Sequence, residues 1–121
     1  RCFAGAELKS GFEVFAHHAG LAKRVQAAQL VLTGEGRVDE QTLMGKGPGR
    51  LAELCRDSGV PCLVFAGEIS APAQPLELFR RAYALAPEFT SRKNALAESA
   101  VWLGKAAEIA AGELRLDVDA E

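Results

Sequence analysis

The residues best able to do chemistry in this 121-residue chain stand in one stretch. From Thr33 to Gly49 it reads Thr-Gly-Glu-Gly-Arg-Val-Asp-Glu-Gln-Thr-Leu-Met-Gly-Lys-Gly-Pro-Gly, so five of the twelve glycines lie beside two cations, Arg37 and Lys46, and the carboxylates Glu35, Asp39 and Glu40. Arginine and lysine can hold phosphate oxygens, carboxylates can hold magnesium or accept a proton, and glycines let backbone N–H groups approach an anion closely. Pro48 then opens a helix whose positive end can lie near that anion. The spacing is not that of a known phosphate loop. A Walker A motif needs glycine where Glu40 stands and a hydroxyl where Gly47 stands, and the dinucleotide fingerprint fails at Asp39. On residue types alone, a glycine-rich turn closed by its own ion pair explains the stretch as well as an anion site does.

The other reactive side chains read as structural. His17 and His18 are neighbours, which on a helix point about 100° apart, and nothing completes a metal set at helical spacing. Cys2, Cys55 and Cys62 form no C-x-x-C pair and stand beside no obvious base, so they read as small apolar groups in a reducing, cytoplasmic setting. Trp102 reads as packing or interface, and Glu40 as solvated surface.

Composition narrows the class. With 49% hydrophobic and 25% charged residues the chain can bury a core as a single domain without metal or disulfide. Fourteen basic against sixteen acidic residues, with no basic block, give none of the field expected of a nucleic-acid binder. No apolar run reaches the roughly 18 residues of a membrane span. The opening Arg-Cys-Phe-Ala-Gly lacks both a methionine and the apolar stretch of a signal peptide, and is expected to continue something longer.

These residues need elements to place them. Ser10 and Glu13 have the spacing of a capping box, starting a helix with Phe12, Phe15, Ala16 and Ala19 on one face; Gly20 stops it, and a second helical piece follows over Leu21 to Ala28. Leu30 to Thr33 reads as a strand buried on both faces, Gly34 to Gly47 shows no regular period, and Pro48 to Gly59 is helical. Cys62 to Ala66 is a second strand, Pro75 to Arg81 a helix, and Ala82 to Ala86 a third strand. A long helix is expected from Ser91 to Gly112 with Leu96, Ala100, Leu103, Ala107 and Ala110 as its stripe, before a frayed tail over 113–121. The βαβαβα order predicts an α/β, Rossmann-like three-layer fold with a parallel sheet, whose ligands collect at the carboxyl ends of the strands: Gly34 to Gly47, Gly67 to Ser70 and Pro87 to Ser91.

The run from Thr33 to Thr42, followed by Gly45-Lys46 and the helix at Pro48, resembles the signature T-G-E-G-R-[ILV]-D-x-Q-[ST]-x-x-G-K of the bacterial glycerate kinases of the glycerate 2-kinase family. Gly5-Ala6-Glu7-Leu8-Lys9-Ser10-Gly11 resembles the family's G-A-E-L-x-x-G, and Gly59-Val60-Pro61, Ala66-Gly67 and the Ala82 to Pro87 strand follow in the family's order. The resemblance covers nearly the whole chain but only the C-terminal part of those enzymes. It implies ATP-dependent phosphorylation of D-glycerate to 2-phosphoglycerate, with Mg2+. It also implies that residues 1–121 are the closing segment of a Rossmann-like domain in a larger two-domain enzyme, inactive without the upstream part. The implied catalytic set is Asp39, Arg37, Glu35 and Lys46, with substrate contacts at Gly34, Gly36, Gln41, Thr42 and Gly67. Asp39, and after it Glu35, would be base or magnesium holder; Arg37 would grip a carboxylate or phosphate, Lys46 a phosphate, and Gln41 and Thr42 would orient hydroxyls. Glu68 departs from the family pattern, which more often has a small residue there.

Partners expected on this reading are D-glycerate, ATP, the upstream part of the enzyme and, through apolar surface, a second copy of the chain; nucleic acid and membrane are not expected. A non-catalytic Rossmann-type nucleotide- or anion-binding module and a bare structural subdomain are the competing classes. Turnover separates the first reading from both, and ligand binding separates the module from the subdomain.

Overall fold

A computed structural model describes residues 5–45, 47–70 and 77–120 of the chain. Short branched and apolar runs build three strands, β1 (Val31–Val38), β2 (Cys62–Ile69) and β3 (Arg81–Ala84), all parallel and in the order β1-β2-β3. β2, in the middle, shows the alternation of a strand covered on both faces. Cys62, Val64 and Ala66 pack with Val25, Ala52, Cys55 and Phe79 on one side. Leu63 packs on the other with Tyr83 and Ala110, and Phe65 joins that side. The layers are therefore α2 (Leu21–Gln26) and α4 (Gly47–Asp57), the sheet, then α5 (Arg92–Ala97) and α6 (Ser99–Asp119). The α/β, three-layer parallel architecture is the one expected.

Several boundaries differ from expectation for physical reasons. α1 (Gly11–Ala19) ends as predicted on Gly20 in the left-handed region (φ 59°), whose N–H caps the carbonyls of Ala16 and His17. Its start does not carry the predicted capping box, since the Ser10 side chain makes no capping hydrogen bond. β1 does not stop at Thr33. Its ladder with β2 runs on to Val38↔Ile69, and a short helix, α3 (Glu40–Leu43), follows, so most of the stretch expected to be irregular is regular. Nor is β1 buried on both faces: it is an edge strand, with Leu32 59% exposed. The helix expected from Pro75 falls partly outside the described residues; within them Phe79 is buried, and Arg81 already opens β3.

The pairing of β1 with β2 contains one close approach. A Cβ added at Gly67 would lie 2.6 Å from the carbonyl oxygen of Gly36, a distance no side chain tolerates, whereas one added at Gly36 would meet nothing within 4 Å. Past this point both strands change sides. Val38 and Ile69 join the same cluster as Val31 and Val64, seven and five residues earlier, although strict alternation would turn them away. Their neighbours Arg37 and Glu68, paired in register, are thereby directed to the α5/α6 side.

The predicted single C-terminal helix is two helices, parted at Glu98 (φ −134°, ψ 45°). Small residues, Ala95, Ala106 and Ala110, are buried there; of the expected stripe Ala110 is buried, whereas Leu96, Ala100, Leu103 and Ala107 are exposed. Residues 113–119, read as a frayed tail, continue α6. Acidic groups at a helix C-terminus oppose its dipole, and here cations at the start of β3 and just before it compensate. Arg81 pairs with Glu113 at 3.0 Å and with Asp117 at 3.4 Å, while Arg80 reaches Asp117 at 3.2 Å. The Tyr83 hydroxyl donates to Glu113 at 2.5 Å. Cys55 and Cys62 are buried as expected; burial pushes both thiols up, Cys62 to about 12 with Cys55 contributing, which makes them poor nucleophiles.

Gly67→Ala should destabilise the chain by about 1–3 kcal/mol, as overpacking does, while Gly36→Ala should be near neutral; equal denaturation midpoints for the two variants would refute the close approach. A second expectation concerns Tyr83, the chain's sole tyrosine, whose phenol is pushed up to about 12, first by burial and then by the Glu113 carboxylate. Ultraviolet titration should find ionisation near pH 12 in the folded chain and about pH 10 in denaturant. Because the folded pKa is the higher, this contribution to stability is whole below about pH 10 and is lost as pH rises through the folded pKa. Ionisation of the folded chain near 10 would show that the phenol is not engaged.

Candidate active site

At the carboxyl ends of β1 and β2 the sheet and the α5/α6 layer leave an open cavity of about 900 Å³. One wall is apolar, formed by Leu32, Leu85, Leu96 and Leu103. Its charged members are Glu35 and Arg37 from β1, Glu68 from β2 and Arg92 from α5. Carboxyl ends of parallel strands are the usual place for ligands in such sheets, because the side chains there are held by the strands yet lie beyond the packed layers.

The motif residues divide between the cavity and its support. Thr33, Gly34, Glu35, Gly36 and Arg37 line the cavity, and so does Gly67. The bare backbone at Gly36 keeps that part of the wall open, and its N–H donates to the Glu35 carboxylate at 3.2 Å. The Arg37 guanidinium is held by its Nε, which donates to Ser70 Oγ at 3.2 Å. Among the described residues its terminal nitrogens have no recorded partner.

Asp39, Gln41 and Thr42 are not on that wall. Asp39 is the N-cap of α3, its carboxylate accepting from the Thr42 N–H at 3.0 Å, while Thr42 Oγ1 accepts in return from the Asp39 N–H at 3.4 Å. Thr42 is 3% exposed and its hydroxyl also lies 3.3 Å from the carbonyl of Arg37. The capping chemistry expected at Ser10 and Glu13 is thus found here, where it fixes the chain immediately after Arg37. Lys46 lies outside the described residues, so its expected phosphate contact has no structural description.

Arg92 was missed in the sequence. It stands one residue past the segment expected to collect ligands, directly after Ser91, whose hydroxyl caps α5 by accepting from Asn94 N–H. That predicted helix start was the available signal. Its Nε lies 2.8 Å from Glu68 Oε1. Among the described residues no group of three or more His, Cys, Asp or Glu side chains converges as a metal site. Nor is any helix long and apolar enough to cross a membrane.

Arranged this way, the site can bind an oxyanion through guanidinium groups and present one carboxylate, Glu35, to it. Thr42→Val, which keeps shape but removes the hydroxyl, should lower stability by about 1 kcal/mol. Denaturation of the chain without any ligand measures this, and an unchanged midpoint would return Thr42 to a role in binding alone.

Known proteins resemble this chain in both sequence and fold. It is 38% identical over 68 residues to the glycerate 2-kinase of Escherichia coli K12, covering 56% of this chain and 18% of that protein. It is 31% identical over 107 residues to a glycerate kinase of Halalkalibacterium halodurans, covering 87% of this chain and 28% of that one. In fold it is similar to a crystal structure described as a "putative glycerate kinase 2" from Salmonella typhimurium LT2, with a TM-score of 0.56 and 24% identity, over 92% of this chain and 29% of the other. Matched along most of its own length, the chain therefore spans 28–29% of the length of such proteins. The sequence profile of the glycerate kinase family matches residues 1–115, and the chain belongs to that family.

Proposed function

We propose that this chain forms one side of the active site of a glycerate kinase that transfers the γ-phosphoryl group of ATP to the 2-hydroxyl of D-glycerate, giving 2-phosphoglycerate and ADP. The observation that carries the reading is the placement of Arg37 and Glu35, two members of the family motif, on the wall of the cavity at the carboxyl ends of β1 and β2. The name of the Escherichia coli relative supports the 2-hydroxyl as acceptor.

In this transfer the hydroxyl oxygen bonds to phosphorus as the bond to the ADP oxygen breaks, and the hydroxyl proton leaves. Such a step asks a protein mainly for position and for charge on the non-bridging oxygens. Arg37, tethered at Nε, presents its terminal nitrogens for a bidentate grip on a phosphate or carboxylate. Glu35 is the motif carboxylate on the cavity wall and is suited to take the proton. It is also suited to hold magnesium, since an ion bound to nucleotide phosphates needs only one or two protein carboxylates and contributes charge neutralisation. Asp39, engaged as the cap of α3, is assigned first to holding Arg37 in place. The upstream part of the enzyme would supply the remaining wall.

The test is turnover by the full-length protein that carries this chain, given D-glycerate and magnesium-ATP, with ADP release followed and the product's phosphorus identified by nuclear magnetic resonance. Arg37→Ala should lower kcat/KM by about 100-fold or more, the loss typical of a preorganised charge contact at a transition state. Absence of ADP release, or an Arg37→Ala enzyme within twofold of wild type, would overturn the assignment.

A further inference from the structure

Two charged residues of the cavity lie outside the motif, Glu68 and Arg92. They meet. Arg92 Nε is 2.8 Å from Glu68 Oε1, the guanidinium being 71% and the carboxylate 28% exposed, and both border the cavity. Glu68 is also the register partner of Arg37 on the neighbouring strand. Glu68 is therefore ion-paired with an arginine of α5 and lies beside one of β1 in the ladder, and all three residues line the cavity.

The two arginines are engaged on the same side of the guanidinium by different forces. Arg37 Nε donates to Ser70 Oγ at 3.2 Å, whereas Arg92 Nε stands in an ion pair with Glu68 Oε1 at 2.8 Å, and among the described residues neither guanidinium donates a hydrogen bond from a terminal nitrogen. A guanidinium engaged at Nε keeps its end-on fork open, the geometry that suits bidentate contact with a carboxylate or a phosphate. Among the described residues the remaining charge facing the cavity is Glu35, whose carboxylate accepts from the Gly36 N–H. An ion pair as exposed as Glu68–Arg92 is worth little in water, so Glu68 steers the guanidinium without competing strongly against an anion gripped by a fork.

We infer that Arg92 is a second oxyanion-binding residue of the site, positioned by Glu68, and that it and Arg37 together clamp a carboxylate or phosphate group of the substrates. This rests on the phosphoryl-transfer reading above. Arg92 would touch substrate; Glu68 is a positioning residue that acts through it.

The experiment uses the full-length protein and the variants Arg92→Ala, Arg92→Lys, Glu68→Ala, the double variant Arg92→Ala/Glu68→Ala, and Lys93→Ala as an exposed control outside the cavity. Arg92→Ala should raise one KM by about tenfold or more, with kcat less affected, and lysine should not restore it, because it keeps the charge but lacks the fork. A rise in the KM for D-glycerate assigns the clamp to the acceptor's carboxylate, and a rise in the KM for ATP assigns it to a phosphate. Glu68→Ala should raise the same KM a few-fold, and in the Arg92→Ala background it should add nothing, the coupling that a merely structural carboxylate would not show. Arg92→Ala within twofold of wild type on both substrates, in an enzyme that turns over, would overturn this inference and leave the kinase reading standing. Should the wild-type protein not turn over glycerate, calorimetric binding of D-glycerate and of tripolyphosphate decides separately. Wild-type binding weakened about tenfold by Arg92→Ala keeps the clamp, whereas binding that is absent or insensitive to Arg92 removes it.

Discussion

The site depends on how closely two parallel strands approach at Gly36 and Gly67. With no Cβ at Gly67, the carbonyl of Gly36 occupies the space a side chain would need, and the ladder can continue through the glycines to Val38 and Ile69. Past that crossing both strands present their alternate faces, so that Val38 and Ile69 seal the α2/α4 side while Arg37 and Glu68 turn to the cavity. The same small residues that look like a flexible connector in the sequence are what allow a rigid element to carry charged groups beyond the packed layers. Rigid placement matters for a reaction whose catalysis is mostly position and charge.

Much of this was legible beforehand, and the errors have identifiable causes. Apolar branched runs marked the starts of β1 and β2, and Gly20 marked the end of α1, because burial and left-handed backbone are local demands on residue type. The continuation of β1 was not legible, since glycines break strands in isolation and are tolerated here only through a partner strand remote in sequence. The direction of Arg37 depended on the same crossing. Asp39 and Thr42 also form a capping box, a structural role that went unread because their types were weighed only for chemistry. On α6 the period was readable and the face only in part. The sheet took Ala110, a member of the expected stripe, together with Ala106, so that the helix could approach closely, and left the larger Leu103 beside the cavity.

The last two turns of α6 illustrate how a polar network can set an element's extent. Leu114 packs at the edge of the Leu63, Tyr83 and Ala110 cluster, while Glu113 and Asp117 face Arg80, Arg81 and Tyr83. Each exposed ion pair is weak alone. Together they give acidic residues at a helix terminus a cationic neighbour on β3, and a segment expected to fray is helix in that setting.

One consequence is spectroscopic. Trp102 is the chain's only indole, and it sits against the Leu85, Ala86, Ala95 and Ala106 cluster with Lys105 Nζ 4.2 Å from its ring centroid and its Nε1 shielded from solvent without a hydrogen-bond partner among the described residues. Its emission therefore comes from one known place, the seam joining the wide turn Leu85–Phe89 to α5 and α6. A shift to longer wavelength would report water entering that seam, independently of what happens on the α2/α4 side of the sheet.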